Sequence, residues 1–154
     1  MNIFFIYILG VIYVTLRPFH FIIPLVVGKS YSFDFNLFYN LKNMSGGYFG
    51  YQLLYSLGNI LMLVPFGLLI PILFKTARRF YKIILFGFVF SLTIELTQTF
   101  FTMTRSGTVD DLVFNTMGAA IGYALFLIVK SVSQRSEIIK RFLLDNNRNI
   151  PDNY

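Results

Sequence analysis

The sequence contains no cysteine and no tryptophan, and it has a single histidine among its 154 residues. Without cysteine, disulfides, a thiol nucleophile and cysteine-ligated zinc are excluded. With one histidine, a metal centre built on several imidazoles is excluded as well. Any acid–base or metal chemistry in this chain must therefore use carboxylate, amide, hydroxyl and guanidinium side chains.

Charged residues are also scarce. They make up 13% of the chain, against about 25% in an ordinary soluble domain, whereas 56% of the residues are hydrophobic. A body of this size leaves roughly 30% of its surface exposed, so it cannot hide that much apolar surface from water. The composition argues against a soluble globular protein and against a disordered one. We therefore predict an all-α, polytopic membrane protein.

Four apolar runs are candidates for membrane spans, each of which needs about 20 mostly apolar residues. The predicted spans cover residues 3–17, 52–74, 83–103 and 112–129. The first is the least regular, because Arg17-Pro18 interrupts it before an apolar stretch resumes and ends at Val27. We interpret that stretch as a segment at the membrane interface. One long, kinked helix through both parts is the alternative.

Lysine and arginine are distributed unevenly between the segments that join these spans. Nine lie between the second and third spans or after the fourth, and four lie in the opposite segments. The positive-inside rule then places both termini in the cytoplasm, and the net charge of +6 belongs to these loops rather than to a nucleic-acid site. The organisation is a transmembrane domain over 1–129 and a basic cytoplasmic tail over 130–154. The apolar residues in the tail favour a short amphipathic helix on the inner leaflet.

Polar residues inside the spans are costly and usually mark function or a paired contact. At about 1.5 Å per residue, Glu95 in the third span and Asn59 in the second each lie roughly 9 Å below the outer boundary. Asn115 lies about one turn below Asp111, which is at the outer end of the fourth span. Gln98 shares a helix face with Glu95. Since three spans bring polar groups to similar depths, we predict one outward-facing polar site.

Small residues indicate where the helices touch. Gly118 and Gly122 form a G-x-x-x-G pattern on the stripe of the fourth span that also carries its polar residues, so this stripe should face the bundle. Pro65, with Gly67 two residues later, should kink the second span. Thr108 has the spacing of a cap for the fourth helix.

Taken in order, these residues resemble the VanZ-like membrane proteins over about residues 36–129. The residues that carry the resemblance are Asn59, Pro65-Phe66-Gly67, Glu95, Gln98, Arg105, Asp111, Asn115, Gly118 and Gly122. The resemblance implies a small multi-pass protein of the bacterial plasma membrane, in a family whose founding member is linked to low-level teicoplanin resistance. Family members often have a proline before the second span, which Phe35-Asn36-Leu37-Phe38 lacks.

One functional hypothesis is an enzyme that performs phosphotransfer or hydrolysis on a lipid headgroup or an undecaprenyl-linked precursor. Arg105 would hold a phosphate, Glu95 would act as general acid or base, and Asp111 would orient a nucleophilic water. Asp110 and Asp111 could bind Mg²⁺. The predicted substrate-binding residues are Asn59, Gln98, Asp110 and Asn115.

Two alternatives remain open. The same residues could form a non-catalytic pocket for a lipid, the antibiotic or a partner helix. They could also be paired and inert, with Glu95 against Arg105 and Gln98 against Asn115. A transporter built on inverted repeats needs more than four spans, unless the chain forms a homo-oligomer.

Overall fold

The computed structural model describes residues 2–16, 32–38, 49–102 and 106–148, with the side chains of the last segment described as far as residue 136. Its described helices are α1 (Asn2–Leu16), α2 (Phe49–Leu73), α3 (Phe80–Phe101) and α4 (Val109–Arg148), and a 3₁₀ turn covers Lys75–Ala77. Two short strands pair in parallel: β1 (Phe33–Asp34) and β2 (Gly107–Thr108). The predicted all-α membrane bundle is confirmed.

Three of the described helices are long and apolar enough to cross a membrane: Phe49–Leu73, Phe80–Phe101 and, within α4, Val109–Ser136. Helix α1 has 15 residues, or about 22 Å, and is shorter than the roughly 30 Å hydrocarbon core of a bilayer. The predicted interfacial segment, residues 19–27, lies outside the described residues.

The tail differs from its prediction. Helix α4 runs without interruption over 40 residues to Arg148, so the start of the tail continues the fourth membrane helix instead of forming a separate one. The physical reason is in the sequence: no glycine or proline lies between Val129 and Arg148, and the next proline is Pro151.

The closest contacts between helix backbones join α2 to α4. A Cβ added at Gly118 would overlap the carbonyl oxygen of Ile60, and one at Gly122 would overlap that of Val64. From the other side, a Cβ at Gly67 would overlap the backbone of α4. The predicted small-residue stripe therefore faces the bundle, and helix α2 passes through Pro65 without ending.

The interior has an apolar part and a polar part. The apolar core contains Leu63, Phe66, Ile70, Ala77, Ile83, Ala119, Tyr123 and Phe126. The buried polar side chains are Thr15, Ser91, Glu95, Gln98, Thr99, Thr102, Asp110 and Asn115. Large apolar side chains such as Leu54, Leu61, Val89 and Ile128 are exposed on the outer faces, as expected of surfaces that contact lipid.

The basic turn between α2 and α3 closes the end of the bundle away from the strands. The Arg78 Nε donates to the carbonyl of Pro71 at 2.9 Å, and the Tyr123 hydroxyl donates to the carbonyl of Arg78 at 2.7 Å. The Arg78 guanidinium carbon also lies 5.9 Å from the centroid of the Phe126 ring. These contacts tie the turn to α4.

The substitution Tyr123→Phe tests this attachment. We expect it to lower the free energy of unfolding by about 1 kcal/mol, because it removes one hydrogen bond to a backbone carbonyl and leaves the ring in place. Reversible unfolding in mixed detergent micelles measures the change. The matched control is Tyr51→Phe, since Tyr51 is 58% exposed. An equal loss in both variants would contradict the assigned role.

Candidate functional site

The centre of the site is a carboxylate on α4 that two side chains of α2 contact. The Asn59 Nδ2 donates to Asp111 Oδ1 at 2.5 Å, and the Tyr55 hydroxyl donates to the same oxygen. Tyr55 and Asn59 are four residues apart, so they lie on one face of α2. The Thr108 hydroxyl accepts from the backbone N–H of Asp111 at 3.1 Å, which confirms the predicted helix cap and fixes the first turn of α4.

A second carboxylate, Glu95 on α3, supports the segment that leads into α4. Glu95 is 1% exposed, and its Oε2 accepts from the backbone N–H of Thr108 at 3.1 Å. One turn along α3, the Thr99 hydroxyl accepts from the backbone N–H of Gly107 at 2.8 Å. Both residues of β2 are thus held by α3, and Glu95 makes contacts that position Asp111.

Two amides extend the polar network, one further along the contact between α3 and α4 and the other to α1. The Asn115 Nδ2 donates to the hydroxyl of Ser91 at 3.0 Å, and the Gln98 Nε2 donates to the carbonyl of Thr15 at 2.6 Å. The pairing of Gln98 with Asn115, one of our alternatives, does not form. Gln98 and Asn115 lie at different depths in the bundle. Asn115 is level with Ser91, and Ser91 lies about 10 Å from Gln98 along α3.

The third carboxylate, Asp110, holds the loop that precedes α2. Its Oδ1 accepts from the backbone N–H of Phe38 at 2.6 Å, and Phe38 has the left-handed backbone conformation, with φ of 63°. The Asp34 Oδ1 accepts from the N–H of Asn36 at 2.9 Å, which forms a turn. Residues 33–38 are therefore held against the first turn of α4.

The predicted Mg²⁺ site does not match the geometry of the described residues. Asp110 and Asp111 are neighbours in sequence, but one contacts the loop before α2 and the other contacts Tyr55 and Asn59. Among the described residues, no three His, Cys, Asp or Glu side chains come together to hold a metal ion. We therefore derive no chemistry through a metal. Arg105 lies outside the described residues, so its phosphate-binding role stays a prediction.

The sequence reasoning missed several contributors. Tyr55 lies four residues before Asn59 and Ser91 lies four residues before Glu95, so helical periodicity around the predicted residues would have found both. The backbone N–H of Phe38 had no such signal, because every residue except proline carries that group.

The network has a surplus of acceptors. Asp110 Oδ2 and Asn115 Oδ1 are buried without a hydrogen-bond partner, and both residues are at most 1% exposed. Buried polar atoms normally have partners, so these two acceptors are exceptions within the network. Of the carboxylates in the network, Asp111 is half-buried and can accept a hydrogen bond or a proton from an ammonium or hydroxyl group.

An apolar cavity of about 630 Å³ lies between α1 and α2 and reaches Tyr55 and Asn59, the two donors to Asp111. Its volume is within the range of about 300–1,000 Å³ that is typical of ligand pockets. The polar network therefore borders a space that can hold an apolar group.

The chain matches a known protein family. The model of the VanZ/LLP1 family matches residues 4–130, which is most of the chain and includes every residue of the polar network. No curated protein and no solved structure matches the chain.

Proposed function

Because this chain belongs to the VanZ-like family and is a bacterial VanZ-type membrane protein, we propose that it binds a lipid headgroup, or the headgroup of a lipid-linked cell-wall precursor, in the outer half of the plasma membrane. The observation that carries this proposal is the pair of donors on α2 that converge on the half-buried carboxylate of Asp111, beside an apolar cavity. A polar site that borders an apolar space suits an amphipathic ligand.

The charge of the site indicates which headgroups it prefers. Its described acidic side chains of the carboxylate type are Glu95, Asp110 and Asp111, and no lysine or arginine is among the described residues of the network. Because carboxylate oxygens accept hydrogen bonds and Asp111 is only half-buried, such a site favours an ammonium or a hydroxyl-rich headgroup. Arg105, from the adjoining loop, would contact the phosphate that links such a headgroup to its lipid.

The outer location follows from the distribution of basic residues. The bundle end opposite the site carries the four basic residues between α2 and α3, namely Lys75, Arg78, Arg79 and Lys82. The positive-inside rule favours a cytoplasmic position for that end of the bundle. Asp111 then faces the outer leaflet of a multi-pass protein, where cell-wall precursors and glycopeptides such as teicoplanin are accessible.

Turnover of the headgroup is the second candidate function. Asp111 is half-buried and could take the proton of an attacking water or hydroxyl, which favours hydrolysis or phosphotransfer there. Glu95 is 1% exposed and accepts from the N–H of Thr108, so a ligand has less access to its carboxylate than to the half-buried carboxylate of Asp111. We therefore assign Glu95 to positioning and Asp111 to contact with the ligand.

A headgroup series tests the proposal. Purified full-length protein is presented with lipids that share the same chains and differ only in headgroup, and binding is measured by native mass spectrometry. We expect preference for amine- and hydroxyl-bearing headgroups, and we expect Asp111→Asn to weaken it about tenfold through loss of a charge-assisted hydrogen bond. Glu137→Gln is the matched control, because it removes the same charge about 39 Å further along α4.

The results of this series distinguish binding of the headgroup from its turnover. Equal binding of all headgroups by the unmodified protein would overturn the proposal. A chemically altered lipid that forms with the unmodified protein and is absent with Asp111→Asn would establish turnover. In bacteria, expression should reduce sensitivity to teicoplanin, and Asp111→Asn should restore sensitivity at equal membrane levels while Glu137→Gln should not.

A further inference from the structure

The apolar cavity between α1 and α2 is a groove with a wall on each helix. Gly10 and Val14 contribute to the wall on α1, and Leu54, Gly58 and Met62 contribute to the wall on α2. A Cβ added at Gly10 or at Gly58 would meet no atom within 4 Å. The two glycines therefore do not serve helix packing in the described structure, and they leave open space along the groove.

The groove has the length of one membrane leaflet. On α2 it extends from Leu54 to Pro65, which is about 16 Å along the helix axis. This is about half of the roughly 30 Å hydrocarbon core. At its deep end the Tyr7 hydroxyl donates to the carbonyl of Met62 at 2.8 Å and joins the two walls. An occupant would therefore lie between the headgroup level and the bilayer centre.

The two ends of the groove differ in polarity. Tyr55 and Asn59 contribute to its outer part and bind the Asp111 carboxylate, whereas its deep part is lined by apolar side chains and by the ring of Tyr7. A second apolar cleft, of about 400 Å³ between α3 and α4, includes Phe88 and Leu112 but none of these polar residues. Of these two spaces, the first combines a polar end with an apolar end, as a lipid molecule does.

We propose that this groove holds one acyl chain of a phospholipid from the outer leaflet, which enters sideways from the membrane. The headgroup end of this assignment rests on the proposed function of Asp111. An acyl chain fits because its extended length is close to one leaflet, whereas an undecaprenyl chain is much longer than the groove. The substrate class of the site is thereby narrowed from lipid-linked molecules in general to phospholipids.

A groove-filling variant tests the proposal. Full-length protein is reconstituted in phospholipid nanodiscs and transferred to detergent, and native mass spectrometry measures the phospholipid that it retains. We expect one phospholipid per chain, and we expect Gly58→Leu to reduce retention about tenfold, since roughly two methylene groups no longer fit. Gly50→Leu is the matched control, because Gly50 lies on the same helix with nothing within 4 Å of its Cβ and outside the groove. Gly10→Leu provides a second groove-filling variant on α1.

Chain and headgroup series separate this inference from the proposed function. With one headgroup and acyl chains of increasing length, affinity should rise until the chain matches the leaflet, and Gly58→Leu should remove that dependence. With one chain and varied headgroups, only Asp111→Asn should change the preference. A dependence on chain length without any headgroup preference would contradict the proposed function and support the acyl-chain assignment. A headgroup preference without any dependence on chain length would support the proposed function and contradict the acyl-chain assignment.

Two further results would overturn the acyl-chain assignment. One is retention of polyprenyl phosphate in preference to phospholipid. The other is an intramolecular cross-link from a photoreactive residue placed at Leu61 to the apolar segment 19–27, which would make this chain the occupant of its own groove. Equal retention by Gly58→Leu, Gly10→Leu and the unmodified protein would also contradict it.

Discussion

Replacing Gly118 with leucine is expected to leave almost no folded protein. The Cβ alone would overlap the carbonyl oxygen of Ile60, so α2 and α4 would have to separate along their closest contact. We expect a loss of more than about 3 kcal/mol in the free energy of unfolding, the upper range for overpacking, because the obstacle is a backbone and not a flexible side chain. Membrane-inserted yield and unfolding in mixed micelles measure the loss.

The control for this prediction uses the same substitution where there is room. Gly50→Leu introduces the same side chain on α2, at a position with nothing within 4 Å of its Cβ. It should fold with the stability of the unmodified protein. If Gly118→Leu and Gly50→Leu gave equal yields and equal unfolding free energies, the close approach of α2 and α4 at Gly118 would be wrong.

The second large effect is expected from Asp111→Ala, which removes the acceptor shared by Tyr55 and Asn59. Two donors in an apolar setting would lose their partner, and we expect about 3 kcal/mol of destabilisation. Because these groups act together, the losses should not add. The double variant Asp111→Ala with Asn59→Ala should be more stable than the sum of the single losses predicts, with a coupling energy of about 1–2 kcal/mol.

A matched cycle shows whether that coupling is specific. Tyr123 lies in the apolar core and bonds to the basic turn at the other end of the bundle, so Asp111→Ala and Tyr123→Phe should be additive within about 0.5 kcal/mol. Additivity in both cycles would mean that Asn59 and Asp111 do not interact. Coupling in the first cycle without any headgroup preference would favour the alternative of paired and inert packing contacts.

Several features followed directly from local sequence. The scarcity of charge and the long apolar runs determined the helical membrane class, because hydropathy over about 20 residues measures whether a helix can cross a bilayer. Helical spacing placed Gly118 and Gly122 on a bundle-facing stripe, and the structure confirms it. The cap at Thr108 follows from a hydroxyl three residues before an amide that needs an acceptor. These are properties of neighbouring residues, so a single sequence carries them.

The sequence predicted which residues come together more successfully than it predicted their hydrogen-bond partners. Depth along the predicted spans grouped Asn59 with Glu95 and placed Asp111 at the outer end of the same site. The structure joins Asn59 to Asp111 by a hydrogen bond. The same reasoning could not pair Gln98, whose partner is the backbone carbonyl of Thr15 on a different helix. A backbone carbonyl has no signature in the residue type that carries it.

The sequence by itself thus determined the membrane class, the packing stripe and the set of polar residues at one end of the bundle. Only the tertiary structure decided that Glu95 holds β2, that Asp110 holds the left-handed Phe38, and that α1 and α2 stand apart along a groove one leaflet long. The physical reason is that these features depend on the distance between helices. That distance arises from the sum of many weak contacts across the bundle and not from the spacing of residues along any one helix.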